Sequence, residues 1–456
     1  MNGSKGHVMV FCYPIQGHIT PFVQFAKRLG NKGIVTTFIV ADNHCDEGFT
    51  CNHFNLTAMA SYPLDDGMFE SDGFKVNFLE MINKFDSGAN DEVTRMLDEY
   101  KIAIDPAKGL IHSPFLCFLS DIARNFQIYA VAMFTQPWLG VAGYYHLNRS
   151  AYDLPASHDC HTLASFPSMP VLCANDLPSF VSNLSCYPSL HELIIEQMSN
   201  LERGTGILPN TFGNLEEKVL KWMAQLWPVS LIAPLAPMFR MSKALQPDKS
   251  YDMDCATPRN ADNCMEWLNS EPGDSVVYLS FGTIVNLCQK QLNEIAGLIN
   301  CGRPFIWAVR EEDQHTLPEG FLEEIKGRAL VVGWGPQEKI LAHGAVACFV
   351  THCGWNSSLE LLAAGVPAIA YGKLGDQITN AKFLTDVYGV GVRLRAPVTR
   401  EEFLICVEEV TEGEKAERIR ERSSEMKRAA TEAVAEGGPS DKNIQAIGDE
   451  IMAIHE

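Results

Sequence analysis

The stretch "FVTHCGWNSSLELLAAGVP" (349–367) sets an imidazole, an indole, an amide and two hydroxyls where an apolar run gives way to helical periodicity. Phe349 and Val350 read as the end of a buried strand. Leu359, Leu361, Leu362 and Ala363 read as a helix, with Gly365-Val366-Pro367 as its stop. A strand-to-helix turn carries His352, Trp355, Asn356 and Ser357 to the carboxyl edge of a sheet, beside the unpaired N–H groups of a helix N-terminus. Such a position suits an anion, and a phosphate is the first expectation.

Three more turns of the C-terminal half carry similar chemistry. "SFGT" (280–283) offers Ser280, a close-approach glycine and Thr283; "GWGPQE" (333–338) offers Trp334, Gly335 and Gln337; "GDQ" (375–377) opens a helix with Asp376 and Gln377. Glu360 lies one turn into the helix after the first motif. Each residue alone has an ordinary reading as a turn former, a cap, a core ring or a solvated charge. Together they supply phosphate-type turns, an aromatic ring for stacking, and carboxylates for hydroxyl groups. That inventory fits a nucleotide linked to a sugar.

The chain has 456 residues, room for two full cores, since a single core rarely grows beyond ~250–300 residues. Hydrophobic content of 46% against 20% charged describes a globular protein. A formal net charge of −20 argues against nucleic acid as a partner. The opening "MNGSKGHVMVFCYP" lacks the pattern of a secretory signal, and no segment approaches the ~20 apolar residues that span a bilayer. The 14 cysteines are dispersed without a C-x-x-C pair, so neither a zinc site nor a disulfide framework is expected. A reduced, cytoplasmic setting follows as the expectation, with a monomer as the working state.

The elements that must position these residues recur in two halves. "HVMVFCY" (7–13) is an apolar strand, Thr20-Pro21 opens a helix with Phe22, Phe25, Ala26 and Leu29 on one face, and "IVTTFIVA" (34–41) is the next strand. Strand–helix–strand with buried strands is a parallel βαβ unit. From 275 the pattern restarts, with five or six strands alternating with helices as far as "GVRL". The expectation is α/β, two Rossmann-like doubly wound parallel-sheet domains facing a cleft, with ligands outside the carboxyl ends of the strands. The predicted boundaries are 1–245, a linker at 246–262, 263–440, and a C-terminal helix at 441–456 that returns to the first domain.

The run from Trp334 to Gln377, W-G-P-Q…H-C-G-W-N-S…E…G-V-P…G-D-Q, resembles the donor-binding signature of plant family-1 UDP-sugar glycosyltransferases. "YPIQGHITPFVQFAKRL" (13–29) and "LPNTFGNLE" (208–216) resemble other stretches of that family, so the likeness runs over nearly the whole chain. It is closest in flavour to the subgroup that glucosylates carboxylates, steroids and terpenoids. The resemblance implies a GT-B fold and inverting transfer of glucose from UDP-glucose to a hydroxyl or carboxyl of a small lipophilic plant metabolite. It implies no cofactor beyond that co-substrate and no metal. It assigns Trp334 to uracil, Gly335 and Gln337 to base and ribose, and Glu360 to the ribose hydroxyls. His352, Asn356, Ser357 and Thr283, with Ser280 nearby, would hold the diphosphate. Trp355, Asp376, Gln377 and Thr135 of "FTQPW" would line the sugar.

The same resemblance makes His18, on the loop after the first strand, the catalytic base. In the family an aspartate stands behind that histidine, and the equivalent position by spacing from Thr135 is Ser113. Asp121 is nearby but matches a helix position. The missing carboxylate leaves three readings open: an acceptor already ionised, slow turnover through His18 alone, or a sugar-nucleotide binder with little or no transfer. Replacing Ser113 by aspartate would then raise turnover with hydroxyl acceptors and do little for carboxylic acids. Two further departures stand in the signature, Gly372-Lys373-Leu374 in place of a Pro-Gln-aromatic run, and Gly335 in place of a residue with a side chain. Met81, Met133, Phe134, Trp138 and Phe180 are candidates for an acceptor pocket, each with plain core as the competing reading.

Overall fold

The computed structural model describes residues 6–12, 16–41, 55–59, 94–95, 97–98, 107–148, 163–164, 170, 172–182, 193–204, 206–212, 215–226, 261–282, 287–297, 301–395 and 397–453. Thr283, Met81 and most of the predicted 246–262 linker lie outside these residues. The chain divides into two compact units. One comprises Met1–Ala174, Phe180–Met253 and Glu432–Glu456; the other comprises Asn175–Ser179 and Asp254–Thr431. The division differs from the sequence-derived boundaries at two places. The change-over near the C-terminus falls inside the long helix Gly413–Val434, and a five-residue segment from the N-terminal half belongs to the second unit.

The first unit holds a six-stranded sheet of β1 (His7–Phe11), β2 (Val35–Ala41), β3 (Asn55–Met59), β4 (Ala107–His112), β5 (Tyr129–Phe134) and β8 (Gly206–Pro209). A two-stranded antiparallel pair, β6 (Leu163–Ala164) and β7 (Leu172–Cys173), stands apart. The order across the large sheet is β3-β2-β1-β4-β5-β8, and every pairing is parallel. Strands such as "YAVAMF" are buried along their whole length, as a sheet covered on both faces requires. On one face Val8, Val10, Ile111 and Val131 pack with Ile19, Phe22, Phe25 and Leu29. On the other, Met9, Phe11 and Leu110 pack with Leu119 and Ile122.

Three helices of this unit bear on the site: α1 (Gln16–Asn31), α2 (Phe118–Phe126) and α3 (Trp138–Asn148). The first begins earlier than the Thr20-Pro21 start read from sequence, and Pro21 lies inside it. A proline there removes one ladder bond and sets its ring toward the carbonyl four residues back. That residue is Gly17, which brings no side chain of its own to the crowded turn. His18 therefore belongs to the first turn of a helix rather than to a loop.

The second unit repeats the plan with β9 (Val276–Ser280), β10 (Phe305–Ala308), β11 (Ala329–Val332), β12 (Val346–Thr351), β13 (Ala368–Ala370) and β14 (Gly391–Arg393). Their order is β11-β10-β9-β12-β13-β14, again all parallel. Renumbered within each sheet, both orders read 3-2-1-4-5-6, the doubly wound Rossmann arrangement. Three helices carry the signature residues: α4 (Gln337–Leu341), α5 (Trp355–Ala364) and α6 (Gln377–Lys382). Helix α5 ends where Gly365 adopts φ 72 and its N–H bonds the Leu361 carbonyl, the stop that Gly-Val-Pro announces.

The last helix, α7 (Pro439–Ala453), belongs to the first unit. Ile444, Ile447 and Ile451 recur on its inner face and enter the same core as Val8, Ile34 and Phe38. Lys32 and Asp441 form an ion pair at 2.6 Å at its start. No helix among the described residues is long and apolar enough to cross a membrane. Ile447 is fully buried, so Ile447→Ala should destabilise the protein by about 2–5 kcal/mol. Urea unfolding reads this out, and a loss below ~1 kcal/mol would show that the helix does not contribute to this core.

Candidate functional site

Each sheet carries one cluster of polar side chains, and each cluster lies where strand order reverses. In the first unit the reversal falls between β1 and β4, which pair directly. His18 follows β1 and Ser113 follows β4. The His18 Nδ1 and the Ser113 Oγ are 3.0 Å apart, and both groups are buried. Thr135, just beyond β5, brings its Oγ1 to 3.4 Å from both ring nitrogens. Phe115 tilts against the imidazole at a centroid distance of 5.2 Å. Ser113 thus stands behind His18, where an aspartate would have supplied a charge. Without one, burial alone acts on the ring and pushes its pKa down to about 4. Asp121 plays no part here; it is a residue of α2 that pairs with Arg124 and Arg203, each at 3.1 Å.

Two buried residues that sequence reasoning passed over brace this cluster. His112 Nδ1–H donates to the Ser113 carbonyl at 2.9 Å, which assigns its proton, because a carbonyl only accepts. Its Nε2 then accepts from the Ser120 hydroxyl at 3.0 Å. Glu216 accepts the Leu139 N–H at 3.0 Å, so its carboxylate caps α3 directly after the Thr135 turn. Burial pushes the Glu216 carboxyl up to about 7. Both were within reach of sequence, since His112 adjoins Ser113 and Glu216 closes the "LPNTFGNLE" stretch. Met133, Phe134 and Trp138 are at most 1% exposed, so for these three the plain-core reading holds.

In the second unit the reversal falls between β9 and β12, where Ser280 pairs with Thr351. His352 follows β12 and leans across to the turn after β9. A methyl group on Gly282 would lie 2.5 Å from His352 Nε2, and one on Gly354 would lie 2.6 Å from it. Two glycines therefore flank the ring, and no larger residue fits beside it as it stands. Burial pushes the His352 imidazole down to about 4, so at neutral pH it acts as a neutral hydrogen-bonding group. It therefore brings no positive charge to the turn at neutral pH. The N-terminus of α5 begins at once, with Trp355 only 5% exposed and Asn356 half-buried.

Beside this turn Gln337, Ser357 and Glu360 form one network. Gln337 Nε2–H donates to Ser357 Oγ at 2.9 Å and to the Glu360 carboxylate, while its Oε1 accepts from the Tyr278 hydroxyl at 3.3 Å. Burial, then the nearby Glu338 charge, push the Glu360 carboxyl well above its usual range. Trp334 is 37% exposed, an unusually open indole. A methyl on Gly335 would lie 2.9 Å from Ile340 Cδ1, a contact that a small turn of the isoleucine tip relieves.

Asp376 and Gln377 close the second cluster. Asp376 accepts from Asn380 Nδ2 at 2.9 Å, and burial pushes its carboxyl up to about 6. Gln377 Oε1 accepts the Leu374 N–H at 3.0 Å, which orients its amide nitrogen away from that loop. The structure thus gathers Ser280, Gln337, His352, Ser357, Glu360, Asp376 and Gln377 at one sheet edge, and His18, Ser113 and Thr135 at the other. Among the described residues no group of His, Cys, Asp or Glu is arranged to hold a metal ion.

Known proteins resemble this chain in sequence and in fold. A family model described as UDP-glucoronosyl and UDP-glucosyl transferase matches residues 227–427. The chain is 43% identical to UDP-glycosyltransferase 74C1 of Arabidopsis thaliana, over 99% of this chain and 98% of that one. It is 35% identical to gallate 1-beta-glucosyltransferase 84A24 of Punica granatum, over 98% and 88% respectively. The crystal structure of Os79 from O. sativa in complex with UDP superposes with a TM-score of 0.85 at 29% identity, covering 97% of this chain and all of that one. With two doubly wound sheets, a polar cluster at each strand reversal, and relatives alike from end to end, the chain belongs to the UDP-glucuronosyl and UDP-glucosyl transferase family and is a UDP-glycosyltransferase of the GT-B fold.

Proposed function

We propose that this enzyme transfers glucose from UDP-glucose, with inversion, to the carboxylate of a small lipophilic acid, forming a glucose ester. The observation that carries the reading is the His18–Ser113 pair. A base whose pKa lies near 4 takes a proton poorly from an alcohol or phenol. A carboxylate has no proton to lose. Its oxygen forms the bond to the anomeric carbon while the bond to the diphosphate breaks and UDP leaves with the electron pair.

Serine gives the histidine a second role that aspartate would forbid. An aspartate accepts only, so it would hold the Nδ1–H tautomer and leave Nε2 as a lone-pair base. The Ser113 hydroxyl can donate to Nδ1 instead, which puts the proton on Nε2 and turns His18 into a hydrogen-bond donor for an anionic acceptor. The likeness to a gallate glucosyltransferase supports a carboxylate acceptor. On the sugar-donor side, Trp334 would stack on uracil, with Gly335 and Gln337 beside base and ribose. Glu360 would exchange Gln337 for the ribose hydroxyls. Ser280, Thr283, His352, Asn356 and Ser357 would hold the diphosphate, aided by the N-terminus of α5. Thr135, Trp355, Asp376 and Gln377 would address the glucose. The weak base also supports a second reading, a UDP-sugar binder with little turnover.

Incubating the protein with UDP-glucose and a panel of carboxylic acids, phenols, sterols and terpenoids separates these readings by mass spectrometry. Hexose adducts confined to acids support the ester reading; adducts on hydroxyls alone overturn it, and binding without adducts favours the non-catalytic alternative. Ser113→Asp should raise turnover with hydroxyl acceptors at least tenfold and, because an aspartate would take the proton from Nε2, lower it with acids rather than do little as the sequence alone suggests; an equal change in both classes would remove the tautomer argument. Labelled-histidine NMR should find the His18 ring titrating near 4, and higher in Ser113→Asp, where a carboxylate stabilises the imidazolium. A midpoint near 6.5 in the unmodified protein would restore an ordinary base. Gly354→Ala should weaken UDP binding about tenfold or more by displacing His352, with calorimetry as the readout. Unchanged UDP affinity would take His352 out of the diphosphate site.

A further inference from the structure

The segment 175–179 is separated by nearly half the chain from the residues it touches. The Ser179 N–H donates to the Gly375 carbonyl at 3.1 Å, and the Gly375 N–H returns a bond to Ser179 Oγ at 2.7 Å. Three residues earlier, the Asp176 carbonyl accepts the Thr379 hydroxyl at 2.7 Å. The Asp176 carboxylate, 5% exposed, pairs with Arg393 at the end of β14 and lies 3.8 Å from Lys382 at the end of α6. Between them Leu177 and Pro178 are buried. The segment thus grips α6 at both ends and seizes the backbone of Gly375, the residue before Asp376 and Gln377.

We propose that Ser179 and Asp176 are positioning residues for the sugar-recognising turn: they set Asp376 and Gln377 against the donor hexose, and so govern sugar selectivity, without touching the donor. The inference rests on the proposed assignment of Asp376 and Gln377 to the glucose. Three features support positioning over mere ballast. The contact holds both backbone groups of Gly375, its N–H and its carbonyl, which lie on the two peptide planes either side of its Cα. Gly375 has φ 60, so the turn has a conformation that a loosened chain would leave readily. And Gln377 spends its Oε1 on the Leu374 N–H, so the placement of its remaining amide nitrogen depends on where that loop stands.

The test compares Ser179→Ala, Ser179→Thr and Asp176→Asn with the unmodified enzyme, using binding of UDP, UDP-glucose and UDP-galactose by calorimetry. No acceptor is needed. In Ser179→Ala and Asp176→Asn, UDP affinity should stay within about twofold, while the preference for UDP-glucose over UDP-galactose falls about five- to tenfold, the size of a lost hydrogen bond. Ser179→Thr keeps the hydroxyl and should restore the preference. Parallel loss of UDP and UDP-glucose affinity would mean that the segment merely supports the whole unit, and unchanged selectivity would mean that the turn holds its shape alone; either overturns the proposal. If the unmodified enzyme binds UDP but does not distinguish the two sugars, the assignment of Asp376 and Gln377 falls first, and the inference with it.

Discussion

The reversal of strand order beside the first strand of each sheet is the constraint on which both polar clusters depend. In a parallel sheet ordered 3-2-1-4-5-6, the chains leaving strands 1 and 4 turn to opposite faces, so a crevice opens between their carboxyl ends. Backbone groups there have no partner strand above them, and helices begin at its rim. In the first sheet this puts His18 and Ser113 within a hydrogen bond of each other, though 95 residues separate them. In the second it puts His352 over Gly282. Neither pair is close because of local sequence. Each is close because strands 1 and 4 are neighbours in space and their outgoing turns diverge.

Burial then determines what the clusters can do. His18, His112 and His352 are all pushed down to about 4, chiefly by burial. The first two are enclosed by the packed faces of β1 and β4 and the third by two glycine turns. A low pKa weakens a base, but it keeps the three imidazoles neutral and polar. Of these, His112 already gives its N–H to the Ser113 carbonyl. The acids move the other way: burial lifts Glu216 to about 7 and Asp376 to about 6. For a folded carboxyl with a raised pKa, folding becomes less favourable as pH climbs from its ordinary value toward the shifted one. For the depressed histidines the loss comes as pH falls from 6.5 toward 4. At neutral pH the depressed histidines therefore cost nothing by this route, while the raised carboxyls are retained against a cost. Such costs concentrate where ligands are bound.

The parts of this architecture legible in sequence are those whose signal is local. A run such as "VACFVT" is apolar throughout because both faces of a parallel sheet are covered, and it reads as a strand. The Gly-Val-Pro stop of α5 was equally plain. The signature turns were legible because chemistry-bearing types sit in a row at strand ends. What resisted reading was either a conflict of local rules or a partner far along the chain. Pro21 signals a helix start, yet tertiary packing of Ile19 and Phe22 carries the helix past it to Gln16. Asp176 and Ser179 carry no pattern at all, because their partners at Gly375, Thr379 and Arg393 lie about two hundred residues away. A buried carboxylate such as Glu216 looks like any surface charge until α3 is seen to start on it.

The turn after β12 shows how the second cluster is made rigid. Cys353 adopts φ 63, a left-handed conformation that costs a residue with a side chain on the order of 1–3 kcal/mol when imposed by its surroundings. What holds it is polar and local: its N–H bonds Thr351 Oγ1 at 3.1 Å, and its carbonyl accepts from Asn380 Nδ2 at 2.9 Å. The same Asn380 nitrogen also donates to Asp376 at 2.9 Å. One buried amide therefore joins the turn beside His352 to the turn beside Gln377, with its two N–H bonds divided between them. A diphosphate and the hexose attached to it are covalently spaced, so a protein that grips both must fix the separation of its two grips. On the proposed assignment of these two turns to diphosphate and hexose, Asn380 fixes that separation through a single nitrogen.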